Sequence, residues 1–257
     1  MDRRTFFYSL GASCFLAASK SNAMGEDSRV RIGLLTHGDG STSKPQAVQQ
    51  LLWEVSKRTS IRVTENPIKL TLEQSNLHYH PLLVWIGVGA VPPFTEQQRL
   101  TLRRYLRSGG TLFIDDASPR GDDSFHRCVE REMKAIWPKR PWEQLGTDHT
   151  IYRSFYLLEY PGGRLDRQRW LEGVTFDDRT PVLYGRNDLF GAFARDDMGA
   201  WSEPMVGGGR RQREFAFRLG INLVMYALCL NYKRDQVHVT SILRRRKWRV
   251  EPPKRVR

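Results

Sequence analysis

Three apolar runs, each ending in a polar turn and each followed by a helix-patterned segment, constrain this chain more than any other feature. The first is Val30-Arg31-Ile32-Gly33-Leu34-Leu35, closed by His37-Gly38-Asp39-Gly40. Pro45 then opens a segment in which Val48, Leu51, Leu52 and Val55 share one helical face. The second run, Leu82 to Val88, is almost continuously apolar, as expected of a strand buried on both sides. Thr95 is placed to cap the helix after it, and Gly109-Gly110 to end that helix. The third run, Thr111 to Asp115, precedes a helix carrying Phe125, Cys128, Val129, Met133 and Ile136. Strand–helix alternation of this kind requires right-handed crossovers. The expected fold class is α/β: a mostly parallel open sheet with helices on both faces.

The second half is less regular. Ile151 to Leu158 and Pro181 to Gly185 read as strands, and Glu214 to Leu230 as a long helix with Phe215, Leu219, Leu223, Tyr226 and Leu230 on one stripe. The segment from Ile61 to Leu72 reads as a strand interrupted at Asn66-Pro67. Residues 159–173 and 195–213 read as surface loops.

Open parallel sheets bind ligands beyond the carboxyl ends of their strands. That rule gathers Gly38, Asp39, Gly87, Gly89, Asn187 and Asp188 on one rim as candidate ligand-binding residues, with Asp148 from the preceding loop. Asp115 and Asp116 end the third strand; a carboxylate buried there would have a raised pKa and could act as acid or base. Together with His149, which follows Asp148, they are the catalytic candidates. Asp122 and Asp123 read most simply as helix caps. Gly87-Val88-Gly89 lacks the third glycine of a dinucleotide fingerprint. His78-Tyr79-His80 could hold a metal on a strand, but before Pro81 it reads as a solvated loop, and no metal site is expected. The cofactor is unassigned.

The net charge of +13 is concentrated at the ends. Residues 244–257 hold eight basic side chains against one acidic one, so the body is only mildly basic. Residues 1–23 combine Arg3-Arg4-Thr5-Phe6-Phe7, an apolar stretch and Ser21-Asn22-Ala23, the pattern of a twin-arginine-type export signal. The expected organisation is a signal over 1–23, one α/β domain over 24–243 and a basic tail over 244–257. No later segment is long and apolar enough for a bilayer span, so an exported, periplasmic and possibly membrane-associated protein is expected. Arg244, Arg245, Arg246, Lys247 and Arg249 then suit an anionic envelope polymer, a lipid or an envelope protein better than nucleic acid. Cys14, Cys128 and Cys229 form no CxxC pair, which argues against a zinc knuckle or dithiol motif.

LRRYLRSGGTLFIDD, DDSFHRCVEREMKAIWP, DHTIYRSFYLL, LEGV, RNDLFGAF and FRLGINLVMYALCLNYKRDQVHVTSILRRRKW resemble domain-of-unknown-function family 4159. That family is placed among the glutamine-amidotransferase-like α/β folds, close to the flavodoxin-like arrangement. The resemblance implies a strand-to-helix elbow near Gly87-Val88-Gly89 or Asp115-Asp116, where an amidotransferase carries its Cys nucleophile. Neither elbow has a cysteine; Val88 and Ala117 stand where relatives carry His or Cys. The expected function is therefore a ligand- or partner-binding module of the cell envelope without the thiol nucleophile. The alternative is a carboxylate- or metal-dependent hydrolase or transferase built on the strand-end Asp residues.

Overall fold

The computed structural model describes residues 29–176 and 179–245, the side chains of residues 230–245 excepted. The export-type segment, Cys14 and the tail residues Arg246, Lys247 and Arg249 lie outside the described residues, as do the side chains of Arg244 and Arg245.

Alternation along each central strand builds two cores at once. The strands β1 (Ile32–Leu35), β2 (Ser41–Thr42), β3 (Ile68–Leu70), β4 (Leu82–Gly87) and β5 (Thr111–Asp116) come from the first half of the chain. From β4, Leu82, Val84 and Ile86 enter one apolar cluster, and Leu83 and Trp85 enter the other. From β5, Phe113 goes to the first and Leu112 and Ile114 to the second. This two-sided burial explains why these runs are continuously apolar. Helix α1 (Pro45–Arg58) covers the first face through Val48, Leu51, Leu52 and Val55. Helices α2 (Glu96–Arg107) and α3 (Ser124–Ile136) cover the second through Leu102, Leu106, Val129 and Met133.

The remaining strands are β6 (Glu143–Leu145), β7 (Leu171–Phe176) and β8 (Arg179–Gly185), and the last helix is α4 (Gly209–Arg245). Leu219, Leu223 and Ala227 of α4 pack on the same core as α1. The sheet order is β3-β1-β4-β5-β8-β7-β6, and β2 pairs with β4 from outside this path. β3, β1, β4, β5 and β8 are parallel, whereas β2, β7 and β6 pair antiparallel. The result is a mixed α/β molecule on a mostly parallel central sheet.

Helix α2 has a full capping box: Gln98 N donates to Thr95 Oγ1 at 3.2 Å, and Thr95 N donates to Gln98 Oε1 at 2.7 Å. Gly109, at φ +117, ends the helix region, and a Cβ on Gly110 would meet the Tyr105 ring at 2.1 Å. Both glycines of the expected helix stop are therefore required, for different reasons.

Residues 151–158 are not the strand their aromatic pattern suggests. They form a short 3-10 turn, Thr150–Tyr152, and an irregular loop. Asn222 of α4, wholly buried, replaces a neighbouring strand. Its Oδ1 accepts from Phe155 N and Tyr156 N at 3.2 and 2.7 Å, and its Nδ2 donates to Ile151 O and Tyr156 O at 2.9 and 2.8 Å. A side chain from the distant α4 satisfies the backbone here, which no local pattern could announce. Conversely, the segment read as a loop over 159–173 ends in β7, which pairs antiparallel with β8. The short β6 was not foreseen. Helix α4 starts earlier than expected and runs on to Arg245. Among the described residues, no helix is long and apolar enough to cross a membrane.

Candidate functional site

β5 and β8 lie side by side and parallel, with Asp115 opposite Gly185. Their carboxyl ends therefore deliver Asp115, Asp116, Asn187 and Asp188 to one place. Asp115, Asp116 and Asp188 are fully buried, and Asn187 nearly so.

Each of these groups has partners. Asp115 accepts from Leu189 N and Phe190 N, both at 2.8 Å, one to each oxygen. It caps the turn that follows β8, much as a carboxylate caps a helix start. Asp188 holds the only positive φ of a non-glycine residue among the described residues, at 48°. It accepts from Gly191 N at 3.0 Å and pairs with Lys44 at 3.2 Å and with Arg164. Glu203 completes the cluster, 2.9 Å from Lys44 and 2.8 Å from Arg164. Lys44 stands at the N-cap of α1 without capping it, and Pro45 follows in the first turn. The lysine is thereby free to reach across to the end of β8.

Asp116 accepts from Ser118 N at 3.0 Å and from the Tyr184 hydroxyl at 3.3 Å, with Arg186 Nε 3.5 Å away. His126 Nδ1 lies 3.0 Å from the same Tyr184 oxygen. Asn187 stitches down the preceding loop: its Oδ1 accepts from Arg167 N at 2.9 Å and Gln168 N at 3.0 Å, and its Nδ2 donates to Gln168 O at 2.7 Å and Pro161 O at 3.3 Å. This loop carries Arg164 to Asp188, and Arg167 to the carbonyl of Ser118.

Burial first, and then the Asp188 carboxylate, push Asp115 up to about 8; the two backbone N–H donors and Lys44 pull the other way. Burial acts to lower Lys44, but Asp188 and Glu203 outweigh it and hold the ammonium above its usual value. Burial, followed by the Asp116 charge, raises the Tyr184 phenol and keeps it protonated. The folded pKa of Asp115 thus exceeds its unfolded value of about 3.9. The stability it contributes is full below that unfolded value and is lost as pH rises through about 8. Denaturant unfolding across neutral to mildly alkaline pH should show stability falling, by at most about 1.4 kcal/mol per pH unit. Asp115→Asn should flatten that slope; a wild-type profile that rises or stays level contradicts the assignment.

The other candidate residues are distributed differently. Gly38 adopts φ +65, and a Cβ there would strike Pro92 at 2.2 Å; Asp39 is exposed beside it. β2 folds this turn back onto β4, pairing Ser41 with Gly87, and Val88 N donates to Gly40 O at 2.9 Å. The Gly87–Gly89 end of β4 is therefore covered by the chain itself, and a Cβ on Gly87 would meet the Phe125 ring at 2.0 Å. Asp122 accepts from Ser124 N at 2.8 Å, while Asp123 pairs with Arg186 and makes no cap bond with its side chain.

His149 does not join the rim. Its Nε2 lies 3.0 Å from Thr180 Oγ1, near the start of β8, and its Nδ1 accepts from Ile151 N at 3.2 Å. It occupies the opposite, amino-terminal end of the sheet, with exposed Asp148 beside it. β6 runs in the same direction as β8, toward the rim, and it is the turn from Gly146 to His149 that brings the chain back to Thr180, so sequence proximity to an aromatic stretch gave no guide to position. His80, read as part of a solvated loop, is instead buried. Among the described residues, no group of three or more His, Cys, Asp or Glu side chains is arranged to hold a metal ion.

Residues missed by sequence reasoning are the cationic partners Lys44, Arg164, Arg167 and Arg186, together with Glu203, Tyr184 and Ser118. Arg164 and Arg167 flank the stretch Leu165-Asp166 in a segment that reads as an ordinary polar loop. Only the bonds to Asn187 give it a role.

Residues 29–228 match the family model described as Domain of unknown function (DUF4159). The chain belongs to this family. The match runs from the start of the first parallel strand through the packed part of α4, so this DUF4159 domain includes the whole rim. No curated protein matches it. Among solved structures it is similar to alpha-L-fucosidase isoenzyme 2 from Paenibacillus thiaminolyticus, at 13% identity and a TM-score of 0.27. The alignment covers 77% of this chain and 32% of the fucosidase chain, so this chain spans about a third of that protein.

Proposed function

We propose that this DUF4159 domain is a binding module whose β5–β8 rim takes a ligand bearing an oxyanion, such as a phosphate, sulfate or carboxylate. One observation carries the reading. Asp115, Asp116 and Asp188 are fully buried and engaged, whereas the guanidinium groups of Arg167 and Arg186 that cover this end of the sheet remain partly exposed. Exposed Arg120 and Arg127 lie in the turn and helix directly after β5, against the more exposed carboxylates of Asp122 and Asp123. The outer layer is thus net cationic. Hydrogen-bonding capacity is also left over there: Ser118 Oγ and Arg167 Nε are buried without a hydrogen-bond partner, whereas Arg186 Nε faces Asp116. Planar guanidinium donors suit the geometry of an oxyanion.

The alternative, a hydrolase using strand-end carboxylates, finds less support. A general base needs a lone pair directed at substrate, and here the lone pairs face backbone N–H groups, a phenol and cations. Cys128 lies inside α3, with its sulfur 3.4 Å from Val91 N, rather than on an elbow. That position favours an amidotransferase-like frame without its nucleophile, and the strand order fits a flavodoxin-like superfold. The twin-arginine-type segment favours action in the periplasm, on an anionic envelope component.

Inorganic phosphate should raise the thermal unfolding midpoint of the wild-type chain. Arg167→Ala and Ser118→Ala should weaken phosphate affinity by roughly ten- to a hundredfold for the arginine, the loss expected for a charge-assisted hydrogen bond, and less for the serine. An equal phosphate response in all three proteins refutes the reading. A midpoint raised by manganese in wild type but not in Asp116→Ala supports the hydrolase instead.

A further inference from the structure

Gln46, Gln49, Gln50 and Trp53 recur at the three- and four-residue spacing of one helical stripe. The stripe lies on the side of α1 turned away from the core that holds Val48, Leu51 and Leu52. It forms one wall of a shallow cavity of about 570 Å³. That size falls within the usual range for small-molecule sites, about 300–1,000 Å³. The other wall is the hairpin 194–202, through Arg195, Asp196, Asp197 and Gly199.

The hairpin is held by its own bonds. Asp196 N donates to Ala200 O at 2.9 Å and Ser202 N to Ala194 O at 3.0 Å. At the tip, Asp196 Oδ1 accepts from Met198 N at 3.0 Å and Ala200 N at 2.8 Å. Arg195 donates to Gly199 O and lies 3.8 Å over the Trp201 ring. This wall is therefore built before a ligand arrives, which lowers the ordering cost of binding.

The groups left over decide the ligand. Trp53 is 52% exposed, so its indole forgoes most of the burial that a tryptophan can supply. Lys57 Nζ, 4.5 Å from the ring centroid, sits over only one face. Gln49 donates to Asn66. The side chains of Gln46, Gln50 and Asp197 make no hydrogen bond or ion pair among the described residues. Two amides and a carboxylate offer both donors and acceptors. The charges nearby balance, Arg195 and Lys57 against Asp196 and Asp197, so this surface, unlike the rim, does not select an anion. An aromatic plate beside amide and carboxylate groups matches a sugar ring, which carries C–H groups on its faces and hydroxyls around its edge.

We propose that this cavity binds a neutral pyranoside, its ring lying against Trp53 and its hydroxyls bonded by Gln46, Gln50 and Asp197. It shares no lining residue with the rim and does not depend on the oxyanion reading.

The test follows the Trp53 indole N–H resonance of the full chain during titration with cellotetraose, glycerol and inorganic phosphate. Cellotetraose is neutral, and its all-equatorial rings have the flattest apolar faces, so its failure to bind counts against the whole class. It should move the Trp53 signal saturably. Glycerol has hydroxyls but no ring face and should bind at least about tenfold more weakly; phosphate should leave the signal in place. By calorimetry, Trp53→Ala, an exposed change, should weaken cellotetraose about tenfold, and Trp53→Phe should restore most of the loss. Gln50→Ala and Asp197→Ala should each weaken it by roughly two- to tenfold, the worth of one hydrogen bond. Arg167→Ala should leave it unchanged. The proposal is overturned if cellotetraose leaves the Trp53 signal unmoved, if glycerol binds as well, or if Trp53→Ala binds like wild type. It is also overturned if the signal moves with protein concentration alone, which would make this face a contact between two copies of the chain.

Discussion

Asp188→Ala is expected to destabilise the domain by about 3–5 kcal/mol, the range for breaking a buried ion pair from one side. Two cations, Lys44 and Arg164, would lose a carboxylate that is itself fully buried, and Gly191 N would lose its acceptor. Glu203 keeps its contacts with both, but it is a single, partly exposed carboxylate against two cations. In a domain of this size the unfolding midpoint should fall by roughly 6–20 °C. Asp188→Asn should cost less, because Asn tolerates positive φ and can still accept from Gly191 N. Calorimetry of the two variants checks both the size and the order. Equal, small losses would mean that Glu203 alone neutralises the pair.

Asn187→Ala should have the second-largest effect, and its signature is local. The side chain holds Arg167 N, Gln168 N, Gln168 O and Pro161 O. Each buried group left unpaired costs about 1–3 kcal/mol, less where the loop can relax into water. A net loss of about 2–4 kcal/mol is expected. Hydrogen exchange should show the amides of Arg167 and Gln168 losing protection while those of β5 keep theirs, because these loop amides depend on Asn187 and the strand amides on the sheet. Phosphate affinity should fall with it, since Arg167 would no longer be positioned. Unchanged protection at Arg167 would show that the loop is held by something else.

These two residues mark what the sequence could and could not disclose. Leu82–Gly87 and Thr111–Asp116 were legible because two-sided burial writes itself as an unbroken apolar run. The Thr95–Gln98 cap and the Gly109–Gly110 stop were legible because their chemistry is local. Asn187-Asp188 could be placed on the rim by the strand-end rule. What each side chain does there depends on residues far away in the chain, as Lys44 with Asp188 or Asn222 with Phe155 demonstrate. Residues 151–158 failed as a strand for the same reason: the donor and acceptor that satisfy them come from α4. Asp148 and His149 failed to reach the rim because the turn after β6 carries the chain back to Thr180 at the start of β8, and a two-residue motif carries no record of that reversal.

The account rests on a division of labour at the ends of β5 and β8: carboxylates inside as struts, guanidinium groups outside as ligand contacts. The most direct test is to diffuse selenate and, separately, manganese into crystals of the protein and locate each by anomalous scattering. The account predicts a selenium peak between the guanidinium groups of Arg167 and Arg186, close to Ser118, and no manganese at the buried carboxylates. A manganese peak on Asp115, Asp116 or Asp188, or selenate bound everywhere but the rim, would contradict it.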